Sequence, residues 1–164
     1  MREVIALTNH TCCFFGHRTI NETEELKTKL TKTIEKLITD EKVDTFLFGS
    51  KSRFDDLCLE LVTEIKQKHP NIKRIYVRAE YPYITDSYEA YLLEFYDETY
   101  FPEKLLDAGR AIYVERNREM IDHSRFCIVY YDQDCAPTIR KSGTKLALDY
   151  AVKKGREIIK FPEG

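Results

Sequence analysis

Short, densely apolar runs alternate along this chain with longer stretches in which apolar residues recur every three or four positions. That alternation predicts strands and helices in turn, the pattern of a parallel α/β sheet. Thr11 to Gly16 reads as a buried strand closed by glycine. Asn21 is placed to cap the following helix, with Glu24 reaching back to it. Leu26, Leu30, Ile34, Leu37 and Ile38 then mark one helical face as far as about Asp40. Asp44 to Gly49 is a second strand, also ending in glycine. Leu57, Cys58, Leu61, Val62 and Ile65 mark the next helix face, which Pro70 and Asn71 stop. Ile72 to Ala79 predicts a third strand.

From about 80 to 111 the pattern becomes irregular and rich in tyrosine, with Pro82 and Pro102 as breakers. A short helix from Asp86 and a strand near Thr99 are expected there. A helix over Tyr113 to His123 leads into a strand, Arg125 to Tyr131. Ser142-Gly143-Thr144 opens a last helix with Leu146, Ala147, Tyr150 and Ala151 on one face. Gly155 is its C-terminal stop, and Glu157 to Phe161 closes the sheet. The whole predicts one α/β domain over 1–164, a Rossmann-like open, mainly parallel sheet with helices on both faces.

Composition narrows the function classes. With 43% hydrophobic and 33% charged residues, the 164-residue chain has the balance of a folded domain. A net charge of −2 provides no general basic field for nucleic acid or an anionic membrane, so single-stranded DNA binding is disfavoured. The N-terminal Val4-Ile5-Ala6-Leu7 patch is too brief for a membrane anchor, and no signal-peptide pattern is present. The five cysteines, Cys12, Cys13, Cys58, Cys127 and Cys135, include no CxxC pair, and reduced thiols in the cytoplasm are expected. Cys12, Cys58 and Cys127 read as small hydrophobes. No His/Cys cluster has ligand spacing, so neither a metal nor a cofactor is expected.

In an open parallel sheet, ligands gather at the carboxyl ends of strands, where strand order reverses. Three motifs fall at such ends. Gly16-His17-Arg18 combines a glycine that admits close approach with a planar cationic fork for phosphate or carboxylate. The same residues also fit a plain turn followed by solvated side chains. Gly49-Ser50-Lys51-Ser52-Arg53-Phe54-Asp55 leaves small residues at a strand-to-helix turn, where backbone amides favour anions. Asp55 there could bond a ribose hydroxyl, or serve only the helix dipole. Ser142-Gly143-Thr144 offers unpaired helix amides and two hydroxyls, a phosphate cup or a routine serine cap. A fourth feature is Arg116-Asn117: asparagine is a mediocre helix former, so its mid-helix position hints at a hydrogen-bonding duty.

In this order the motifs resemble the YpsA-like family of the SLOG superfamily, which also contains the DNA-processing protein DprA and the Lonely-guy phosphoribohydrolases. Cys12 to Arg18 is similar to that family's CCFTGHR start, with Phe15 where threonine is usual. Gly49 to Asp55 resembles its glycine-rich segment ending in Gly-Phe-Asp, with Arg53 in place of the second glycine. Arg116-Asn117 through Met120, Asp122 and Ser124 resembles its RNxxMxDxS helix. Ser142-Gly143-Thr144 followed by Tyr150-Ala151 is similar to its GGT…YA segment. The resemblance spans nearly the whole chain.

The resemblance implies a nucleotide-derived ligand on the glycine-rich loops. Arg18, Gly49, Ser50, Gly143 and Thr144 would hold phosphate, Asp55 would face ribose, Arg116 with Asn117 would fix the far side, and Gly16, His17, Arg53 and Ser142 would belong to the same ligand site. The tyrosine-rich segment would stack on a base or cover the pocket, about half of its tyrosines serving packing alone. Homo-oligomers are expected too, since SLOG relatives often pair through helices. Ala147 stands where Lonely-guy enzymes carry a catalytic glutamate, and alanine cannot stabilise an oxocarbenium ion or activate water. Binding or sensing of an ADP-ribose-type molecule or nucleoside monophosphate is therefore the leading expectation. Nucleotide N-glycosidase activity is the alternative, with Glu115, Asp55 or Asp132 as the catalytic carboxylate.

Overall fold

The computed structural model describes residues 8–132 and 142–162; the Val4–Leu7 patch and Cys135 lie outside them. Six parallel strands form one sheet: β1 (Thr11–Gly16), β2 (Thr45–Phe48), β3 (Lys73–Val77), β4 (Glu98–Tyr100), β5 (Phe126–Tyr130) and β6 (Glu157–Phe161). Their order is β4-β3-β2-β1-β5-β6, and every pairing is parallel. The helices are α1 (Glu24–Asp40), α2 (Arg53–Lys66), α3 (Asp86–Leu92), α4 (Ile112–Asp122) and α5 (Gly143–Lys153). Two short 3-10 turns, Glu103–Asp107 and Gly109–Ala111, lead into α4. This is the Rossmann-like α/β architecture, with the tyrosine-rich stretch supplying α3 and edge strand β4.

The central strands are apolar on both faces because helices cover both. Cys12, Phe14, Phe46, Phe48, Phe126, Ile128 and Tyr130 point to one side, against Leu30 and Ile34 of α1 and Phe54, Leu57 and Leu61 of α2. The alternate residues Cys13, Phe15, Leu47, Ile75, Cys127 and Val129 point to the other, against Met120 and Ile121 of α4 and Ala147, Leu148 and Ala151 of α5. Cys12, Cys13, Cys58 and Cys127 are free and buried in these layers. Burial pushes the Cys12, Cys13 and Cys58 thiols well above their ordinary range, which keeps them unreactive. Among the described residues no helix is long and apolar enough to cross a membrane.

Several sequence expectations are corrected. The cap of α1 is Thr23, whose hydroxyl accepts from the Leu26 amide at 3.0 Å. Asn21 instead donates its own amide to the Tyr130 hydroxyl at 3.2 Å, which ties the loop to β5. On α5 the buried stripe is Thr144, Ala147, Leu148 and Ala151, the i, i+3, i+4, i+7 set, while Leu146 is 41% exposed. Gly155, at φ 71°, does end that helix: its amide bonds Val152 O, and the Arg156 amide bonds Ala151 O. Within the irregular stretch, Arg74 of β3 grips Asp97 through its amide, Nε and a terminal nitrogen at 2.8, 3.1 and 3.2 Å, which anchors β4 to the sheet edge.

Candidate functional site

Strand order reverses between β1, whose chain leaves towards β2, and β5, reached only after β4. Above the carboxyl ends of the strands lies a cleft of ≈ 1160 Å³, ample for a nucleotide-sized ligand. Its walls come from the loops after β1, β2 and β3, from α4, and from the start of α5. Gly16, His17, Arg18, Gly49, Ser50, Arg116, Asn117, Ser142, Gly143 and Thr144 all line it. Residues up to 131 positions apart in sequence (Phe15 and Leu146) are thus brought to one opening.

The two strand-end glycines are enforced by the protein itself. A Cβ on Gly16 would lie 2.4 Å from Phe54 Cβ, and one on Gly49 would lie 2.7 Å from both Arg116 Cδ and Met120 Sδ. Their missing side chains let α2 and α4 close against the sheet ends. Gly143 differs: a Cβ there meets nothing within 4 Å, so it faces open cleft.

Arg116 is only 5% exposed and donates to Gly49 O at 2.6 Å and to Asn117 Oδ1 at 2.9 Å. Asn117 thereby holds a cation across the end of β2, a duty consistent with its mid-helix position. Burial lowers the Arg116 pKa, a change opposed by the Asp55 charge. His17 is buried, and its Nε2 accepts from the Asp132 amide at 3.0 Å, joining the loops that leave β1 and β5. Arg18 is exposed, and among the described residues its guanidinium has no partner, although its carbonyl accepts from the Arg53 amide.

Arg53 and Asp55 do not line the cleft. Arg53 turns outward and forms a two-pronged ion pair with Glu22 at 2.6 and 2.7 Å, plus a contact with Glu60 at 3.3 Å. The loop that an arginine would have obstructed is left open. Asp55 turns inward, 3% exposed, and accepts from the Gly49 and Ser50 amides at 3.4 and 3.2 Å. The amides expected to meet an anion at this turn are already occupied by a carboxylate of the protein. Burial pushes the Asp55 carboxyl up from the ordinary 3.8 to about 7, against the pull of those amides and of Arg116.

At the start of α5, Ser142 caps the Lys145 amide at 3.1 Å. The amides of Gly143 and Thr144 have no acceptor among the described residues, which leaves a helix N-terminus facing the cleft. Of the carboxylates considered for catalysis, none lines the cleft. Glu115 faces Arg118 at 3.3 Å and Lys104 at 4.0 Å, and the Asp132 amide is engaged by His17. Ala147 is buried among Met120, Leu148 and the sheet.

Four further residues complete the site. Tyr76 of β3 and Tyr113 of α4 are its aromatic walls, whereas Tyr81, Tyr83, Tyr88, Tyr91, Tyr96 and Tyr100 are not part of the lining. Tyr96 stacks on Tyr76 at 5.0 Å from behind, and Tyr100 donates to Glu119. Glu80 accepts from the Tyr113 hydroxyl at 3.0 Å and pairs with Lys51 at 3.6 Å, linking three walls at the rim. The strand-end rule applied after β3 would have found Glu80, and the i, i+3 spacing to Arg116 would have found Tyr113. Among the described residues no group of three or more His, Cys, Asp or Glu side chains could share a metal ion.

Fold and cleft together define an all-parallel α/β protein with an open, cation-rimmed site at its switch point. The chain belongs to the family of the uncharacterized SPbeta prophage-derived protein YoqJ of Bacillus subtilis (strain 168). It is 32% identical to that protein over 145 residues, covering 79% of this chain and 81% of the relative. No protein-family model matches the chain.

Proposed function

We propose that this protein binds a phosphate-bearing nucleotide or nucleotide-derived ligand, of ADP-ribose type or a nucleoside monophosphate, in the switch-point cleft. On this reading it is a sensor or binding domain of the YpsA-like branch of the SLOG superfamily, working in the reducing cytoplasm, where its buried thiols stay free. The observation that carries the reading is the Arg18 guanidinium, without a partner among the described residues, in the same cleft as the Gly143 and Thr144 amides, which have no acceptor among them. A guanidinium fork and a helix N-terminus are both complementary to an anionic group such as phosphate. Tyr76 and Tyr113 add aromatic surface suited to a base.

Binding without turnover is the favoured form, because Glu115, Asp55 and Asp132 lie outside the lining, Ala147 supplies no carboxylate, and Glu80 at the rim is engaged by Tyr113 and Lys51. Thermal denaturation of the purified protein with a panel of nucleotides and ADP-ribose derivatives tests the reading. At least one member should raise the melting temperature, and Arg18→Ala or Thr144→Val should abolish that rise while leaving the ligand-free transition close to wild type. An undiminished rise in both variants would move the site elsewhere. Release of free base during incubation, seen by chromatography, would replace the binding reading with an N-glycosidase.

A further inference from the structure

We infer that Glu80 is the ribose-reading carboxylate of this cleft, so that the site selects ribonucleotides over their 2′-deoxy counterparts; the inference rests on the nucleotide-binding reading above. Glu80 is the one carboxylate among the lining residues described, in a wall otherwise supplied with Arg18, Lys51 and Arg116. A carboxylate repels phosphate, so it belongs opposite a part of the ligand that donates hydrogen bonds. Its position fits. Arg18 and the α5 amides sit at the ends of β1 and β5, whereas Glu80 follows β3, two to three strands away in the sheet. At the usual strand spacing that is about 10–14 Å, enough to place a ribose and base beyond the phosphate.

The carboxylate is also held for the task. Both protein donors, the Tyr113 hydroxyl and Lys51 Nζ, contact Oε1. Oε2 accepts no hydrogen bond among the described residues and remains available as an acceptor. A fixed carboxylate with one free oxygen suits a ribose hydroxyl, the duty acidic side chains perform in dinucleotide sites. Tyr76 of β3 and Tyr113 of α4 line the same cleft, Tyr113 in direct contact with Glu80. Asp55, the earlier candidate for ribose, is excluded by its inward turn onto the Gly49 and Ser50 amides.

The test is calorimetric titration of the full chain with the four ribonucleoside 5′-monophosphates and 5′-diphosphates, ADP-ribose, and the 2′-deoxy counterparts of the nucleotides. The best ribonucleotide should bind roughly tenfold or more tighter than its deoxy form, the worth of one hydrogen bond to a charged group. In Glu80→Ala that ratio should fall towards one through loss of ribonucleotide affinity, with deoxynucleotide affinity unchanged or improved because a charge repelling phosphate is gone. Equal wild-type affinity for ribo and deoxy forms would overturn the inference and leave the nucleotide reading intact. An equal loss of both affinities in Glu80→Ala would assign Glu80 to bracing Lys51 and Tyr113 instead. Failure of every nucleotide to bind would overturn the nucleotide reading itself.

Discussion

Gly16→Ala is expected to destabilise the protein by about 3 kcal/mol or more, the upper part of the range for overpacking a closed core. The added methyl group would fall 2.4 Å from Phe54 Cβ and Cγ and 2.5 Å from Cδ2. Rotating the Phe54 ring cannot relieve the clash, because Cβ moves only with the α2 backbone. That backbone is held in turn: Ser52 caps the helix, the Arg53 amide bonds Arg18 O, and Phe54 is fully buried. Urea denaturation of the two proteins measures the difference. A midpoint matching wild type would mean that α2 can step back from β1 freely, and that Gly16 is not what allows the two loops to meet. Because the same approach shapes one wall of the cleft, residual folded Gly16→Ala protein should also lose nucleotide-dependent stabilisation.

The second large effect is a pH dependence centred on Asp55. Its carboxyl is raised from 3.8 to about 7 in the folded protein, chiefly by burial. A carboxyl whose folded value is raised contributes stability that is complete below the unfolded value and lost as pH climbs through the folded one. Asp55 therefore favours folding around pH 4 and ceases to do so above about 7. Asp55→Asn keeps an acceptor for the Gly49 and Ser50 amides but removes the titration. Wild-type stability relative to that variant should fall by about 2–3 kcal/mol between pH 5 and pH 8. Other titrating groups cancel in the comparison. Denaturation curves for both proteins at several pH values check it, and a difference that stays flat would mean Asp55 is ionised throughout.

These two effects share a cause that bears on function. The β2–α2 turn is closed internally, by Phe54 against Gly16 and by Asp55 against the Gly49 and Ser50 amides. On the proposed reading, anion binding falls to Arg18, after β1, and to the α5 start, across the switch point from it. A ligand phosphate at the β2 turn would have to displace the Asp55 carboxylate, whereas one near α5 would meet amides without an acceptor among the described residues and the open face of Gly143.

The order of elements was legible in the sequence by itself, because each depends on local periodicity and punctuation. The apolar runs of β1, β2 and β5 and the spaced leucines of α1 and α2 report which residues seek a core. Gly16 and Gly49 mark where strands stop, and such strand ends, with the glycine at the start of α5, supply much of the cleft lining. What periodicity does not carry is the competition among groups distant in the chain. Thr23 rather than Asn21 caps α1 because the helix starts at Glu24, two residues beyond the start that Asn21 would cap, and the Asn21 amide instead meets the Tyr130 hydroxyl 109 residues away. Asp55 turns inward because the amides six and five residues before it are within reach once the turn closes. Arg53 leaves the loop open because Glu22 lies where its fork can seize both oxygens. Glu80 and Tyr113 join the site because parallel crossovers carry them to the same edge of the sheet as Gly16 and Ser142. Local pattern determined the elements and their ends; the hydrogen bonds and close approaches made only after folding decided which polar groups remain free for a ligand.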